Sequence, residues 1–209
     1  MELDLAGTLA ELAEDRPIFN SEADFQHALA WQVHLRHPHA KVRLEPKPLP
    51  GSRLDLLIWL GERRTAIELK YPRTRFSGTV AGELYELTNQ AAQDIHRHDV
   101  VKDVTRIERL LTAGYADKGY VVTLTNDRNY WLPSARTDTN GEAFRIHEGR
   151  LLEGTLAWAS RAAPGTTKDR DAPLALAGQY KCRWRDYSTV RDGSGKLVQL
   201  RYLLLAISA

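Results

Sequence analysis

The chain has 209 residues, 43% of them hydrophobic and 27% charged, with a formal net charge of +2. That length holds one domain with a sizeable core, and the composition excludes a disordered tail or a membrane protein: the longest apolar run near the end, "YLLLAIS", is far too short to span a bilayer. The single cysteine, Cys182, excludes an intramolecular disulfide and a cysteine-based zinc cluster, so a cytoplasmic location is expected, and the small net charge leaves room for a local basic groove.

The N-terminal stretch "MELDLAGTLAELAED" is acidic and spaces Leu5, Leu9 and Leu12 helically, which predicts a short docking helix rather than a secretory signal. In "FNSEADFQHALAWQVHLRHP", Asn20 and Ser21 are N-cap candidates, Asp24 follows Ser21 by three, and Pro38 bounds a second helix. Glu22, Gln26, Leu29 and Val33 share one face of it. "KVRLE" predicts a strand, and the turn-rich "PKPLPGS" leads into a hairpin, "RLDLLIWLGERRTAIELKY". "SGTVAGELYELTNQAAQDIHRHDVVKDVTRIERLLTAG" contains a mostly polar lead-in and then a long helical pattern closed by Gly114, and "YVVTLTND" predicts a buried strand. From Tyr130 to about Asp171 the pattern weakens into loops around "LLEGTLAWA", with "APGTTKDRDAP" exposed. The tail predicts two strands joined through "RDGSG". The expected fold is α/β in one domain over residues 1–209: a mixed sheet flanked by helices, with its core over about 20–130 and a C-terminal extension over 131–209 carrying a β-hairpin.

The hairpin places two acids and a lysine inside a greasy segment. With Gly61 and Glu62 as the two turn residues, Gly61 first as a type II′ turn prefers, paired positions sum to 123 and Asp55 lies opposite Glu68. Arg53 then lies opposite Lys70 on the same face, whereas Ile67, Leu69 and Tyr71 point to the other. Opposed carboxylates repel unless a positive charge lies between them. A hard divalent cation such as magnesium or manganese would resolve the repulsion while also holding substrate phosphate oxygens. Lys70 could orient or deprotonate a water, or stabilise charge developing on phosphorus. These parts suit hydrolysis of a phosphodiester.

Asp55 on one strand and Glu68-Leu69-Lys70 on the next resemble the signature of the PD-(D/E)XK nuclease superfamily over roughly residues 20–125, although Leu54 stands where the motif has proline. The resemblance implies a restriction-endonuclease-like core and a magnesium-dependent deoxyribonuclease. It implies that Asp55, Glu68, the Leu69 carbonyl and Glu22 hold the metal and that Lys70 is catalytic. The family also often places a polar residue on the helix after Glu-x-Lys, for which "NQAAQDIHRHD" offers Gln90, Gln93 or Asp94, and Gln26 on the first helix face is a further supporting candidate.

Each feature has a plainer explanation as well. The hairpin could be a solvated strand face with Glu68 paired to Lys70 or Arg53, and Glu22 could be an acid favoured by the helix dipole. His34, His37 and His39, and likewise His96 and His98, lack the companions of a zinc site and suit a surface helix terminus. "DVVKDVTRIERLL" suggests a solvated helix face with internal ion pairs. Cys182 suits a small buried residue. Arg73 and Arg75 follow Lys70 closely and are expected to bind the nucleic-acid backbone with Arg53, and "QYKCRWRDY" alternates a basic strand face (Lys181, Arg183, Arg185) with an apolar one. The expected partner is DNA, with no membrane; a homodimer or a further protein partner is left open. A non-cleaving nucleic-acid-binding module or an RNase are the alternatives.

Overall fold

The computed structural model describes residues 2–50 and 53–208. Met1, Ala209, and Gly51 and Ser52 of the turn before the hairpin lie outside the described residues. Helix α1 (Leu5–Asp15) starts where the Asp4 carboxylate accepts the Gly7 N–H at 2.9 Å, and it buries Leu5, Leu9 and Leu12 as their spacing predicts. Helix α2 (Glu22–Arg36) starts at Ser21, whose Oγ accepts the Asp24 N–H at 3.0 Å, and stops before Pro38.

Strands β1 (Lys41–Leu44), β2 (Leu56–Leu60) and β3 (Arg63–Lys70) follow. Leu56 pairs with Ile67 through to Leu60 with Arg63, so the predicted register holds. Gly61 takes φ +66° at the turn, the sign a type II′ turn needs at its first central residue. The polar lead-in to the long helix contains a second hairpin, β4 (Phe76–Val80) and β5 (Glu83–Leu87). Its turn, Ala81-Gly82, puts both residues at positive φ, and an alanine there hides the turn from a search for Asn-Gly or Asp-Gly.

Helix α3 (Gln93–Thr112) then crosses to β6 (Lys118–Thr125), which runs parallel to β3. Short pieces come next: a 3-10 turn over Glu142–Phe144, β7 (Leu151–Leu152), β8 (Thr155–Leu156), α4 (Pro164–Thr167), β9 (Leu174–Ala175) and β10 (Tyr180–Lys181). Strands β11 (Trp184–Arg191) and β12 (Leu197–Ile207) form the tail hairpin. This hairpin is part of the central sheet rather than an extension beyond it, because β12 pairs antiparallel with β6. The six-stranded sheet runs β1-β2-β3-β6-β12-β11, mixed and flanked by helices.

Alternation along the strands splits the core in two. Ile58, Ile67, Leu69, Val122 and Tyr202 pack with α1 and α2 on one face, while Ala66, Val121, Leu203 and Leu205 pack with α3 on the other. Strand β12 is apolar on both faces, as a central strand must be. Helix α3 comes so close to β6 at Gly119 that a Cβ there would collide with Ile107 Cγ2. No helix among the described residues is long and apolar enough to cross a membrane.

Candidate functional site

The C-terminal end of β3 collects the polar side chains. Beyond the last ladder pair with β2, Leu56–Ile67, the N–H groups that β3 turns away from β6 need other acceptors. Asp55 Oδ2 accepts the Leu69 N–H at 2.7 Å, and Glu22 Oε2, at the first residue of α2, accepts the Tyr71 N–H at 2.8 Å. Asp55 therefore stands beside β3 as the register predicts, although its carboxylate reaches the backbone of Leu69 instead of simply facing Glu68. Gln26 Nε2 donates to the Asp55 carbonyl at 2.8 Å and steadies that turn from the α2 side.

Glu68 and Lys70 point the other way, toward α3, and there the solvated-face expectation fails. Helix α3 buries Asp103 at the position between Val100 and Ile107, and Arg106 lies one turn on. Lys70 Nζ lies 2.8 Å from Asp103 Oδ2 and donates to the Leu69 carbonyl at 3.0 Å. Arg106 Nη1 lies 2.6 Å from Glu68 Oε1 and donates to the Arg53 carbonyl at 3.1 Å, and Arg106 Nη2 lies 3.2 Å from Asp103 Oδ1. Asp103 and Arg106 are the site residues the sequence reasoning missed. The i, i+3, i+7 spacing Val100, Asp103, Ile107 was the available signal, since it puts the acid on the helix's apolar face.

Gln90, Gln93 and Asp94 do not join this cluster. Gln93 donates to Asp127 at 2.5 Å, Asp94 in the first turn of α3 accepts the Ile95 N–H at 3.0 Å, and the Gln90 N–H goes to the Arg73 carbonyl at 2.9 Å. Gln93 and Asp94 sit in the first turn of α3, about 14–15 Å of helix rise before Asp103, and Gln90 precedes the helix. Of the expected backbone binders, Arg53 is exposed and 3.4 Å from Glu45, Arg75 is exposed, and Arg73 is half-buried against Tyr71. Lys181, Arg183 and Arg185 are exposed opposite buried Tyr180, Cys182 and Trp184, so that stripe has the alternation expected of it. His98 is not a surface residue: it is buried against Phe144 and Trp158, with Nδ1 3.1 Å from Asp99.

The electrostatics follow from the crowding. Glu68 is 1% exposed, and burial, followed by the charges of Asp103 and Asp55, pushes its carboxyl up to about 9. The Arg106 contact pulls the other way and is outweighed; a protonated Glu68 still offers Arg106 a carbonyl oxygen. Burial also raises Glu22 and Asp103, and in both cases Lys70 opposes the rise. Burial alone would favour neutral Lys70, but Asp103, Glu22 and Asp55 hold its ammonium well above the ordinary lysine value. Lys70 is thus a fixed cation and donor, not a base. Were all four carboxyls ionised they would share only two cations, which is why the buried acids hold their protons.

A hard cation fits this donor set in chemistry and in charge: Asp55 and Glu22 each spend one oxygen on the scaffold, and crowded carboxylates are relieved by a divalent ion. The arrangement itself is not a finished cage, since no group of three or more His, Cys, Asp or Glu side chains among the described residues is placed to hold a metal ion. A cavity of about 310 Å³ opens beside Lys70, Asp103 and Arg106, rimmed by Lys102 and Arg170 with Asp99 and Asp169. Comparison with protein-family models, curated proteins and solved structures finds no match for this chain.

Proposed function

We propose that this chain is a metal-dependent phosphodiesterase of the PD-(D/E)XK type acting on DNA. The observation that carries the proposal is the convergence of Glu22, Asp55, Glu68 and Lys70 at the end of β3, in a cluster whose buried acids lack enough positive charge. The order of elements supports it: a helix bearing an acid, a hairpin bearing Asp55 and Glu-x-Lys, then a helix leading to a strand parallel to β3.

Asp55 and Glu68, with Glu22 and the Leu69 carbonyl, would hold a magnesium or manganese ion, which when bound supplies Lewis acidity and an activated water. Lys70, held as an ammonium, orients an attacking water or donates to a phosphoryl oxygen as negative charge builds there. Asp103 aims Lys70 from behind, and Gln26 fixes the turn that presents Asp55. Arg53, Arg73 and Arg75 emerge near this end of β3 and supply contacts to the strand's phosphates.

One observation favours the rival, a DNA-binding module that does not cut. Arg106 already sits on Glu68, and Lys70 on the Leu69 carbonyl, so internal cations partly quiet the acids without a metal. Incubation with plasmid, linear duplex, single-stranded DNA and RNA, with and without magnesium, separates the two. The enzyme should cut only with the ion, and Asp55→Asn, Glu68→Gln and Lys70→Ala should each lower the rate by about 10²–10³-fold. Magnesium should also raise the melting temperature of the parent more than that of Asp55→Asn. Failure to cut any of these substrates, together with equal thermal shifts in both proteins, would establish the silent module instead.

A further inference from the structure

A second cavity lies away from the acidic cluster. It encloses about 680 Å³ at the start of α3, between the helix and the loop that follows β6, within the range of small-ligand sites. Arginine dominates its charge: Arg97, Arg128, Arg136 and Arg145 line it, against one acid, Asp94, whose Oδ1 is engaged by the Ile95 N–H. Arg145 is partly offset by Glu142 at 3.7 Å and donates to Thr139 Oγ1 at 3.1 Å. Arg97, Arg128 and Arg136 form no ion pair among the described residues.

Arg97 is the telling member. Its Nη2 donates to the Asn129 carbonyl at 2.7 Å and its guanidinium lies 5.2 Å from the Tyr130 ring centre, so it is held in place. Burial lowers its pKa and Arg145 lowers it further, while Tyr130, Asp127 and Asp94 oppose the fall without forming an ion pair with it. A half-buried guanidinium without an anion is costly unless something supplies one.

We propose that this cavity binds a phosphate group. Three unpaired guanidiniums exceed what one carboxylate can neutralise, whereas a terminal phosphate carries about −1.5 to −2 charge and several acceptor oxygens, and the planar guanidinium fork pairs with it bidentately. The site is separate from the acidic cluster: Arg97 and Arg106 stand about 14 Å apart along α3 and half a turn around it. It does not depend on the phosphodiesterase reading. The phosphate could belong to a nucleic-acid strand or to a free phosphate ester, and both present the same chemistry to the arginines.

The test uses the full chain and the double variant Arg128→Ala/Arg136→Ala, because both residues are exposed and their guanidiniums make no hydrogen bond or ion pair among the described residues. Unliganded melting temperatures should match, which checks folding. Calorimetric titration with inorganic pyrophosphate should then show binding by the parent and at least tenfold weaker binding by the variant. In a second arm, fluorescence anisotropy with a 20-nucleotide DNA across a salt series reports the source. If a strand supplies the phosphate, the log–log salt slope of the variant should be shallower by about 2 units. If only pyrophosphate binding falls, the pocket takes a free phosphate ester. Equal pyrophosphate affinity and equal DNA binding in the two proteins would overturn the proposal. None of these readouts involves cleavage, so a failure here is distinct from a failure of the catalytic assignment.

Discussion

Glu68→Gln should change how stability depends on pH, in a direction and size the structure sets. The Glu68 carboxyl, 1% exposed, is raised from an ordinary value near 4.5 to about 9 by burial and by the charges of Asp103 and Asp55. A group whose folded pKa is raised takes up a proton on folding, so its contribution is fully present below about 4.5 and is lost as pH rises through about 9. Between those limits the unfolding free energy falls by at most about 1.4 kcal/mol per pH unit, so by up to about 3 kcal/mol from pH 6 to 8. Glutamine matches the protonated acid in shape, keeps an acceptor for Arg106, and cannot ionise. The variant should therefore gain on the parent steadily over that window. Urea unfolding of both proteins at pH 6, 7 and 8 in the presence of a chelator measures it, because all other titrating groups are common to the pair. A difference that stays constant within about 0.5 kcal/mol across the three pH values would show that Glu68 is ionised throughout, and would refute the raised carboxyl.

Arg106→Ala removes the cation shared by two buried acids, Glu68 and Asp103. Because the Arg106 side chain is 29% exposed, the loss should fall somewhat below that of a fully buried pair, at about 2–3 kcal/mol by urea unfolding, and magnesium should stabilise this variant more than it does the parent. A variant as stable as the parent would mean that Asp103, as well as Glu68, needs no cation from Arg106. Gly119→Ala places a methyl group against Ile107 where α3 meets β6 and should cost about 1–3 kcal/mol, read as a lowered melting temperature; an unchanged melt would mean that the helix stands further from the sheet than described.

Much of the fold can be read from local chemistry. Caps at Asp4 and Ser21, the Leu5, Leu9, Leu12 spacing, the Gly61 turn and the alternation of β3 are each decided within a few residues, and these determine α1, α2 and the β2–β3 hairpin with its register. The same register put Glu68 and Lys70 on one face before any long-range contact was known. What the sequence by itself could not decide was which surface that face would meet. Asp103 and Arg106 lie more than thirty residues beyond Lys70, and only the packing of α3 across β3 and β6, permitted by the missing side chain at Gly119, brings them onto the acids. The C-terminal strand has the same history: its apolar run announces burial on both faces, but its place beside β6 depends on a partner some seventy to ninety residues earlier in the chain. Charge sign is local, whereas desolvation and pairing are properties of what packs around the charge. Tertiary structure therefore determined that Lys70 is a fixed ammonium and Glu68 a reluctant carboxylate.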